Sequence, residues 1–364
     1  MTERRMKLAL LLAGGGARSA YQAGVVEAVA ELPFDICAVS AVGAGALNGS
    51  IVAAAPDAAA AAKELRQLWE RTLDAAQSVL RLGPVPVVRL GAYLTLLFAG
   101  GVEPTIEEKL RGGMAAAGRG RQLRRLGSGD GSSDLVGAAI ELVAEQLNVG
   151  TDAELDRLVS ATFAEAAANP AIPFYVSVYE SDEGLFSMLR HAGEGLGLLP
   201  LGAPRYIDVS DPALPAQERL AAVLASATLP FLCEPRAVAG RRFIDGSFAG
   251  MAKSPGAVPL VPLLRDSRVD ADMILVVHTE PGIAWSADFG EGPPILQLRP
   301  TGEAGDVGYF WADRDSLEGW IRAGRDDATR VLTRLLAARR GWSGAAQARE
   351  ALERAAKGLD EDLQ

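Results

Sequence analysis

Three consecutive glycines, Gly14, Gly15 and Gly16, stand between an apolar run and a helix-like segment. Because glycines lack β-carbons, the backbone N–H groups of such a turn can point into one shared space at the positive end of the following helix. The pattern therefore predicts an anion-binding loop. A dinucleotide site uses the same physics but expects an acidic residue at the end of the second strand, whereas Asp35 opens that strand, so a nucleotide is disfavoured.

Two further segments combine small residues with a possible catalytic group. Residues 41–48, AVGAGALN, form a strand-to-helix turn of small residues, which permits the strained elbow that exposes a nucleophile. In the second segment, a short apolar strand ends at Asp245 and is followed by Gly246. Asp245 is therefore either a general base or an ordinary turn residue.

Four segments resemble the patatin-like phospholipase family, in this order and across most of the chain. They are LLLAGGGARSAYQAGVVEAV, GAGALNG, LASATLPFLCEPRAVAGRRFIDGS and IRAGRDDATRVL. The resemblance implies a three-layer α/β/α sandwich with a mainly parallel central sheet. It also implies that acyl esters are hydrolysed by a Ser–Asp dyad and a glycine-loop oxyanion hole, without metal or cofactor.

The family's functional residues can be carried over by position. The residues that match the oxyanion loop are Gly14, Gly15, Gly16 and Arg18. Asp245 and Gly246 match the dyad aspartate and the glycine that follows it. Ser19 stands where the family usually has glycine, and Ser247 stands where it usually has glycine or alanine. Both departures are mild because serine has a small side chain.

The elbow departs more seriously from the family's G-x-S-x-G pattern. Aligned on the helix side, from Gly45 onward, the sequence has Ala41 at the first glycine position and Gly43 at the serine position. Aligned on the strand side, residues 33–37, it has Ser40 near the serine position, but the turn must then absorb extra residues. The first alignment is preferred because the serine must directly precede the helix for its Oγ to face the oxyanion hole.

Two function hypotheses follow. In the first, the chain is a phospholipase-type hydrolase of phospholipids, lysophospholipids or other acyl esters: Asp245 takes the hydroxyl proton, and the amides of Gly15 and Gly16 hold the oxyanion. In the second, Gly43 makes the chain a pseudoenzyme that binds a lipid or a protein partner without turnover. Whether Gly43 is natural or a deliberate Ser→Gly change stays open at this point.

The composition excludes several other classes of function. The chain has 46 acidic and 36 basic residues, a formal net charge of −10, which argues against nucleic acid as a partner. His191 and His278 are the only histidines, and no Cys–His pair has zinc-ligand spacing. The apolar run 8–13 is too short for a signal peptide. We therefore expect a cytoplasmic protein, with the ten apolar residues 90–99 as a candidate membrane-surface contact. The overlapping apolar segment 85–98 is either core or cap, or the gate that admits acyl chains.

The elements that must position these residues begin with a βαβ unit. The predicted strands are 7–13, 34–42, 172–179, 243–245 and 273–278. The predicted helices are 17–31, 44–55, 58–76, 152–168, 216–227, 317–339 and 345–359. One patatin-like domain is expected over residues 1–335, with a cap or loop insertion at about 80–135 that includes a basic loop at 111–133, followed by a helical tail over 336–364.

Overall fold

The computed structural model describes residues 4–80, 153–181, 203–228, 235–248, 257–280, 292–301 and 314–362. The predicted cap or insertion, the apolar segment 90–99, the basic loop 111–133 and His191 lie outside the described residues. Among the helices that are described, none is both long enough and apolar enough to cross a bilayer.

The core of the fold is an eight-stranded mixed sheet with the order β5-β6-β3-β2-β1-β7-β8, and β4 also pairs with β3. Its strands are β1 Met6–Leu12, β2 Phe34–Ala41, β3 Phe174–Glu180, β4 Arg205–Asp208, β5 Arg236–Val238, β6 Arg241–Asp245, β7 Met273–Val277 and β8 Ile295–Leu298. Strands β3, β2, β1, β7 and β8 are parallel, whereas β4, β5 and β6 make antiparallel pairs.

The described helices are α1 Ala20–Glu31, α2 Ala44–Ala54, α3 Ala58–Leu80, α4 Ala153–Ala168, α5 Ala216–Ser226, α6 Val261–Arg265 and α7 Arg314–Asp362. Short 3₁₀ turns at Gly16–Ser19 and Gly246–Phe248 follow β1 and β6.

Alternate residues of the central strands are buried on opposite faces of the sheet, which gives three layers. Leu8, Leu10 and Leu12 of β1 join a large cluster with residues of α1, α2, α3 and α7. Ala9 and Leu11 join a smaller cluster that residues 257–263 cover from the other side. The prediction of a three-layer α/β/α fold with a mainly parallel sheet is confirmed.

The C-terminal ends of the parallel strands meet at one edge of the sheet. Leu12, the last residue of β1, is paired with Ala41 at the end of β2 and with Val277 at the end of β7. In open α/β sheets, ligands bind in the crevice at this edge. The glycine loop and the elbow both leave the sheet there.

The structure differs from the sequence predictions in its short elements and in its C-terminal helix. Strands β4, β5 and β8 and helix α6 were not predicted, because segments of three to five residues have no measurable period. The two predicted helices 317–339 and 345–359 are one continuous helix, α7. Gly341 and Gly344 lie between them, but each costs a helix only about 1 kcal/mol, and no proline is present to end it.

Candidate active site

The elbow between β2 and α2 centres on Gly43. Its backbone has φ 62° and ψ −141°, a conformation that strains any residue with a β-carbon. The N–H of Gly43 donates to the Ser226 carbonyl at 3.1 Å, which attaches the elbow to the end of α5. Ala41 is the last residue of β2, and Gly45 packs directly against the carbonyl of Leu12, so no larger residue fits there. These contacts give residue 43 a fixed direction.

Asp245 lies at the end of β6 with 5% of its surface exposed. Its Oδ1 accepts hydrogen bonds from the backbone N–H of Ser247 at 2.8 Å and from the Ser247 hydroxyl at 2.7 Å. Its backbone N–H donates to the Thr228 carbonyl at 3.1 Å. With Oδ1 held in this way, Oδ2 faces the elbow, and a β-carbon at position 43 would lie 3.2 Å from it.

The protonation of Asp245 suits a general base near neutral pH. Burial raises the pKa of its carboxyl to about 7, although the two hydrogen bonds from Ser247 act in the opposite direction. A base is most effective when its pKa is close to the working pH. Gly246 is required beside it, because a β-carbon at 246 would overlap the Ser177 hydroxyl.

The glycine loop faces the same space. A β-carbon on Gly43 would lie 3.0 Å from the Gly14 Cα and 3.9 Å from the Gly14 nitrogen. Among the described residues, none accepts a hydrogen bond from the backbone N–H groups of Gly14, Gly15 and Gly16. These amides, together with the N-terminus of α2 at Ala44, are therefore available to an anionic oxygen next to residue 43.

Ser40 is not brought to this site. Its neighbours Val39 and Ala41 face the same hydrophobic cluster as Phe243. Phe243 is two residues before Asp245 in β6, so Asp245 is on that face of the sheet too. Ser40 points to the opposite face, where its Oγ is buried and donates to the Pro259 carbonyl at 2.6 Å. An Oγ in that position has the sheet between it and the Asp245 carboxylate.

Two other predicted residues have structural contacts. Arg18 forms an ion pair with Glu280 at 3.5 Å. His278 is buried, its ring Nε2 lies 3.1 Å from Oε1 of Gln297, and burial lowers its pKa. Within the described ranges, no group of three or more His, Cys, Asp or Glu side chains is placed to hold a metal ion.

Sequence reasoning missed how several residues hold the site in place. Ser247 was noted only as a mild departure from the family, although an aspartate followed two residues later by a serine is a common local turn and could have indicated its bonds to Asp245. Ser226, Thr228 and Thr279 had none, since each contacts the site from a distant part of the chain. Thr279 donates its hydroxyl to the Gly14 carbonyl and packs against Gly15 so closely that a β-carbon there would overlap it.

Comparison with known proteins gives a family match and a set of similar solved structures. The sequence profile of a family described as Patatin-like phospholipase matches residues 10–253. Similar solved structures include VipD from Legionella pneumophila, with 15% identity, coverage of 91% of this chain and 67% of that chain, and a TM-score of 0.41. They also include ExoU in complex with SpcU, from the type III secretion system of Pseudomonas aeruginosa, with 16% identity, coverage of 91% and 52%, and a TM-score of 0.35. The chain thus spans about half the length of ExoU, and no curated protein sequence matches it.

Proposed function

Since the chain belongs to the patatin-like phospholipase family, we propose that its site binds lipid acyl esters, with Gly43 at the position of the attacking serine. The ester carbonyl lies between the amides of the glycine loop and Asp245. The observation that supports this best is the direction of Oδ2: a β-carbon at residue 43 would lie 3.2 Å from it. The site thus has a base and oxyanion donors, and a serine at 43 completes it.

With a serine at that position, the reaction is a two-step acyl transfer. The serine Oγ attacks the ester carbonyl while its proton passes to Oδ2 of Asp245, and the amides of Gly14, Gly15 and Gly16 stabilise the oxyanion. The alcohol then leaves with the proton from Asp245. Water, activated by the same carboxylate, releases the fatty acid.

In the chain as it stands, Gly43 cannot form this acyl-enzyme. Loss of the serine in another hydrolase lowers turnover by a factor on the order of 10⁶. The pocket does not depend on a hydroxyl, so binding of the ester is retained. Gly43 itself therefore favours the second candidate function, a pseudoenzyme that binds a lipid, or a protein partner, without turnover.

Ester hydrolysis by four proteins tests the proposal: the chain itself, Gly43→Ser, Gly43→Ala and Ser40→Ala. We expect turnover of a fluorogenic acyl ester, and covalent labelling by a fluorophosphonate, only in Gly43→Ser. Gly43→Ala is the matched control, because it has the same β-carbon without the hydroxyl. The rate should rise with pH through about 7, since Asp245 must be ionised to act as base.

Three other outcomes have clear meanings. Turnover by the unsubstituted chain that disappears in Ser40→Ala contradicts the assignment of Gly43. If Gly43→Ser is folded but inactive, and the unsubstituted chain still binds a fluorescent phospholipid, the pseudoenzyme function is supported. If neither protein binds lipid or hydrolyses ester, the proposal fails.

The protein must also reach its lipid substrate. We propose a cytoplasmic protein that contacts a membrane surface transiently. Its formal net charge of −10 should weaken attachment to anionic lipid through repulsion. Sedimentation with neutral phosphatidylcholine vesicles should therefore recover more protein than sedimentation with anionic phosphatidylglycerol vesicles at low salt, and an absence of binding to both contradicts the surface contact.

A further inference from the structure

The C=O and the N–H of one planar peptide unit point in opposite directions, so a partner that holds a carbonyl of the glycine loop also fixes the direction of the N–H in the same unit. In the structure, three side chains take up carbonyls along the loop. The Ala13 carbonyl accepts from Gln22 Nε2 at 2.6 Å, and the Ser19 carbonyl accepts from Asn48 Nδ2 at 2.9 Å. The Gly14 carbonyl accepts from the Thr279 hydroxyl. Side chains from other elements thus bind carbonyls at both ends of the loop.

Two of these three side chains are joined to each other and to a tryptophan. Asn48 Nδ2 also donates to Gln22 Oε1 at 2.9 Å, and Trp69 Nε1 donates to Asn48 Oδ1 at 3.2 Å. Gln22 and Asn48 are fully buried, and Trp69 is 9% exposed. The bonds form a relay from α3 through α2 and α1 to the carbonyl that precedes the glycines.

The relay has one direction, which both of its ends set, because the Trp69 indole N–H can only donate and the Ala13 and Ser19 carbonyls can only accept. An indole N–H can only donate, so Asn48 must turn its oxygen to Trp69 and its NH₂ group to Ser19 and Gln22. Gln22 must then turn its oxygen to Asn48 and its NH₂ group to the Ala13 carbonyl. With Asn48 reversed, its NH₂ would face the indole N–H, and its oxygen would face the oxygens of Ser19 and Gln22. Each reversed contact leaves a buried polar group without a partner, which is costly.

We propose that Trp69, Asn48 and Gln22 are positioning residues that fix the glycine-loop amides in the orientation an oxyanion needs. The inference rests on the proposed function, since it concerns the same acyl-ester site. Without the indole N–H, the buried Asn48 Oδ1 loses its donor, and α3 no longer holds the Asn48 side chain. The hold of Asn48 and Gln22 on the Ser19 and Ala13 carbonyls then loosens, and the peptide planes between these carbonyls can rotate away from the ester oxygen.

The experiment uses the Gly43→Ser protein as background and adds Trp69→Phe, which deletes the N–H and keeps an aromatic ring. Trp320→Phe is the matched control. Trp320 is similarly buried at 5% exposure, and its Nε1 has no hydrogen-bond partner among the described residues. Both variants lose comparable volume from the same core. A difference between them therefore reports the loss of the Trp69 N–H and not the loss of packing.

We expect Trp69→Phe to lower kcat for the ester by about tenfold to a hundredfold with KM within about twofold, because misplaced oxyanion donors affect the transition state more than substrate binding. The rate of fluorophosphonate labelling should fall in parallel. Trp320→Phe should leave both rates unchanged. If Trp69→Phe does not fold, Gln22→Met removes the last donor of the relay and should have the same effect.

Hydrogen–deuterium exchange in proteins that keep Gly43 gives a test that does not depend on turnover. In peptides covering residues 13–19, the hydrogen-bonded amides of Ala13 and Arg18 should exchange about tenfold faster or more in Trp69→Phe, and Trp320→Phe should leave them unchanged. Equal kcat and equal exchange in the two variants overturns the relay. Failure of Gly43→Ser to turn over ester, with the exchange difference present, contradicts the proposed function and leaves the relay standing.

Discussion

Under the proposed assignment, Gly43 has two consequences at the level of a single residue, because the site lacks its nucleophile and the turn forms without strain. A β-carbon in this backbone conformation costs on the order of 1–3 kcal/mol. The tight approach to the Gly14 Cα, at 3.0 Å, adds to that cost. The active-site chemistry and the stability of the elbow are therefore opposed at residue 43.

Gly43→Ala should lower the free energy of unfolding by about 1–3 kcal/mol, because alanine has the β-carbon without a hydroxyl. Urea denaturation followed by circular dichroism measures the change. Gly43→Ser should be destabilised by a similar amount even where it gains activity. An unchanged urea midpoint for both variants would mean that the elbow relaxes to another conformation.

Asp245 should make the stability of the chain depend on pH. The pKa of Asp245 is raised from 3.8 to about 7 on folding, so the folded state binds the proton more tightly than the unfolded state. Its contribution is fully present below about pH 4 and is lost as pH rises through 7. Between pH 4 and 8, we expect the unsubstituted chain to lose on the order of a few kcal/mol relative to Asp245→Asn.

The other titrating groups contribute equally to the pH dependence of stability in the unsubstituted chain and in Asp245→Asn. The difference between the two proteins therefore reports Asp245 alone. Urea unfolding at several pH values measures the difference. A difference that is independent of pH contradicts the raised pKa of Asp245.

At the level of elements, α1 and α7 touch through their backbones. A β-carbon on Gly24 of α1 would lie 1.8 Å from the Ile321 carbonyl, and one on Gly324 of α7 would lie 2.0 Å from the Tyr21 carbonyl. Near this crossing, the Tyr21 ring packs edge-on against Trp320, and its hydroxyl donates to Asp327 at 3.0 Å. The two glycines allow α7 to approach closely enough for these contacts.

Gly324→Ala should therefore destabilise the protein by about 1–3 kcal/mol, because the two helices must move apart. Gly319→Ala is the control on the same helix, since a β-carbon there meets nothing within 4 Å. It should be neutral or stabilising by up to about 1 kcal/mol through helix propensity. Thermal unfolding of the two variants measures this contrast, and equal melting temperatures would contradict a close crossing.

The elements that sequence could predict are those with a local signal. The apolar runs of β1 and β2, the glycine loop and the small-residue turn at Gly43 are each contained within a few consecutive residues. The relay residues Gln22, Asn48 and Trp69 had no such signal, because their roles depend on which helices lie side by side. Asp245 was identified through its Asp-Gly pattern and the family resemblance, whereas its contact with residue 43 required the fold.

For the whole molecule, α7 contributes a row of buried side chains to the core. Within residues 314–341, where the burial of its side chains is described, Leu336 is the last buried apolar residue, and residues 337–341 are all exposed. The helix continues to Asp362, a further ~30 Å at 1.5 Å per residue. The body of the fold therefore depends on the first half of α7.

Truncation after residue 341 should leave cooperative unfolding and the melting temperature nearly unchanged, because the core side chains of α7 are retained. Truncation after residue 313 should prevent folding, since it removes a buried apolar row. That row consists of Leu317, Trp320, Ile321, Ala328, Leu332 and Leu336. Circular dichroism and size-exclusion chromatography measure both outcomes. A large loss of stability on truncation after residue 341 would contradict the prediction of a C-terminal helical tail.

The relaxed backbone at Gly43 has a consequence for the history open to such a chain. Under the proposed function, a change from serine to glycine at residue 43 ends hydrolysis but relieves the strained turn, so later mutations that weaken the core are tolerated. A return to serine must then overcome both the strained turn and the weakened core. On this proposal, a serine at residue 43 is lost easily and is regained only with compensating changes elsewhere.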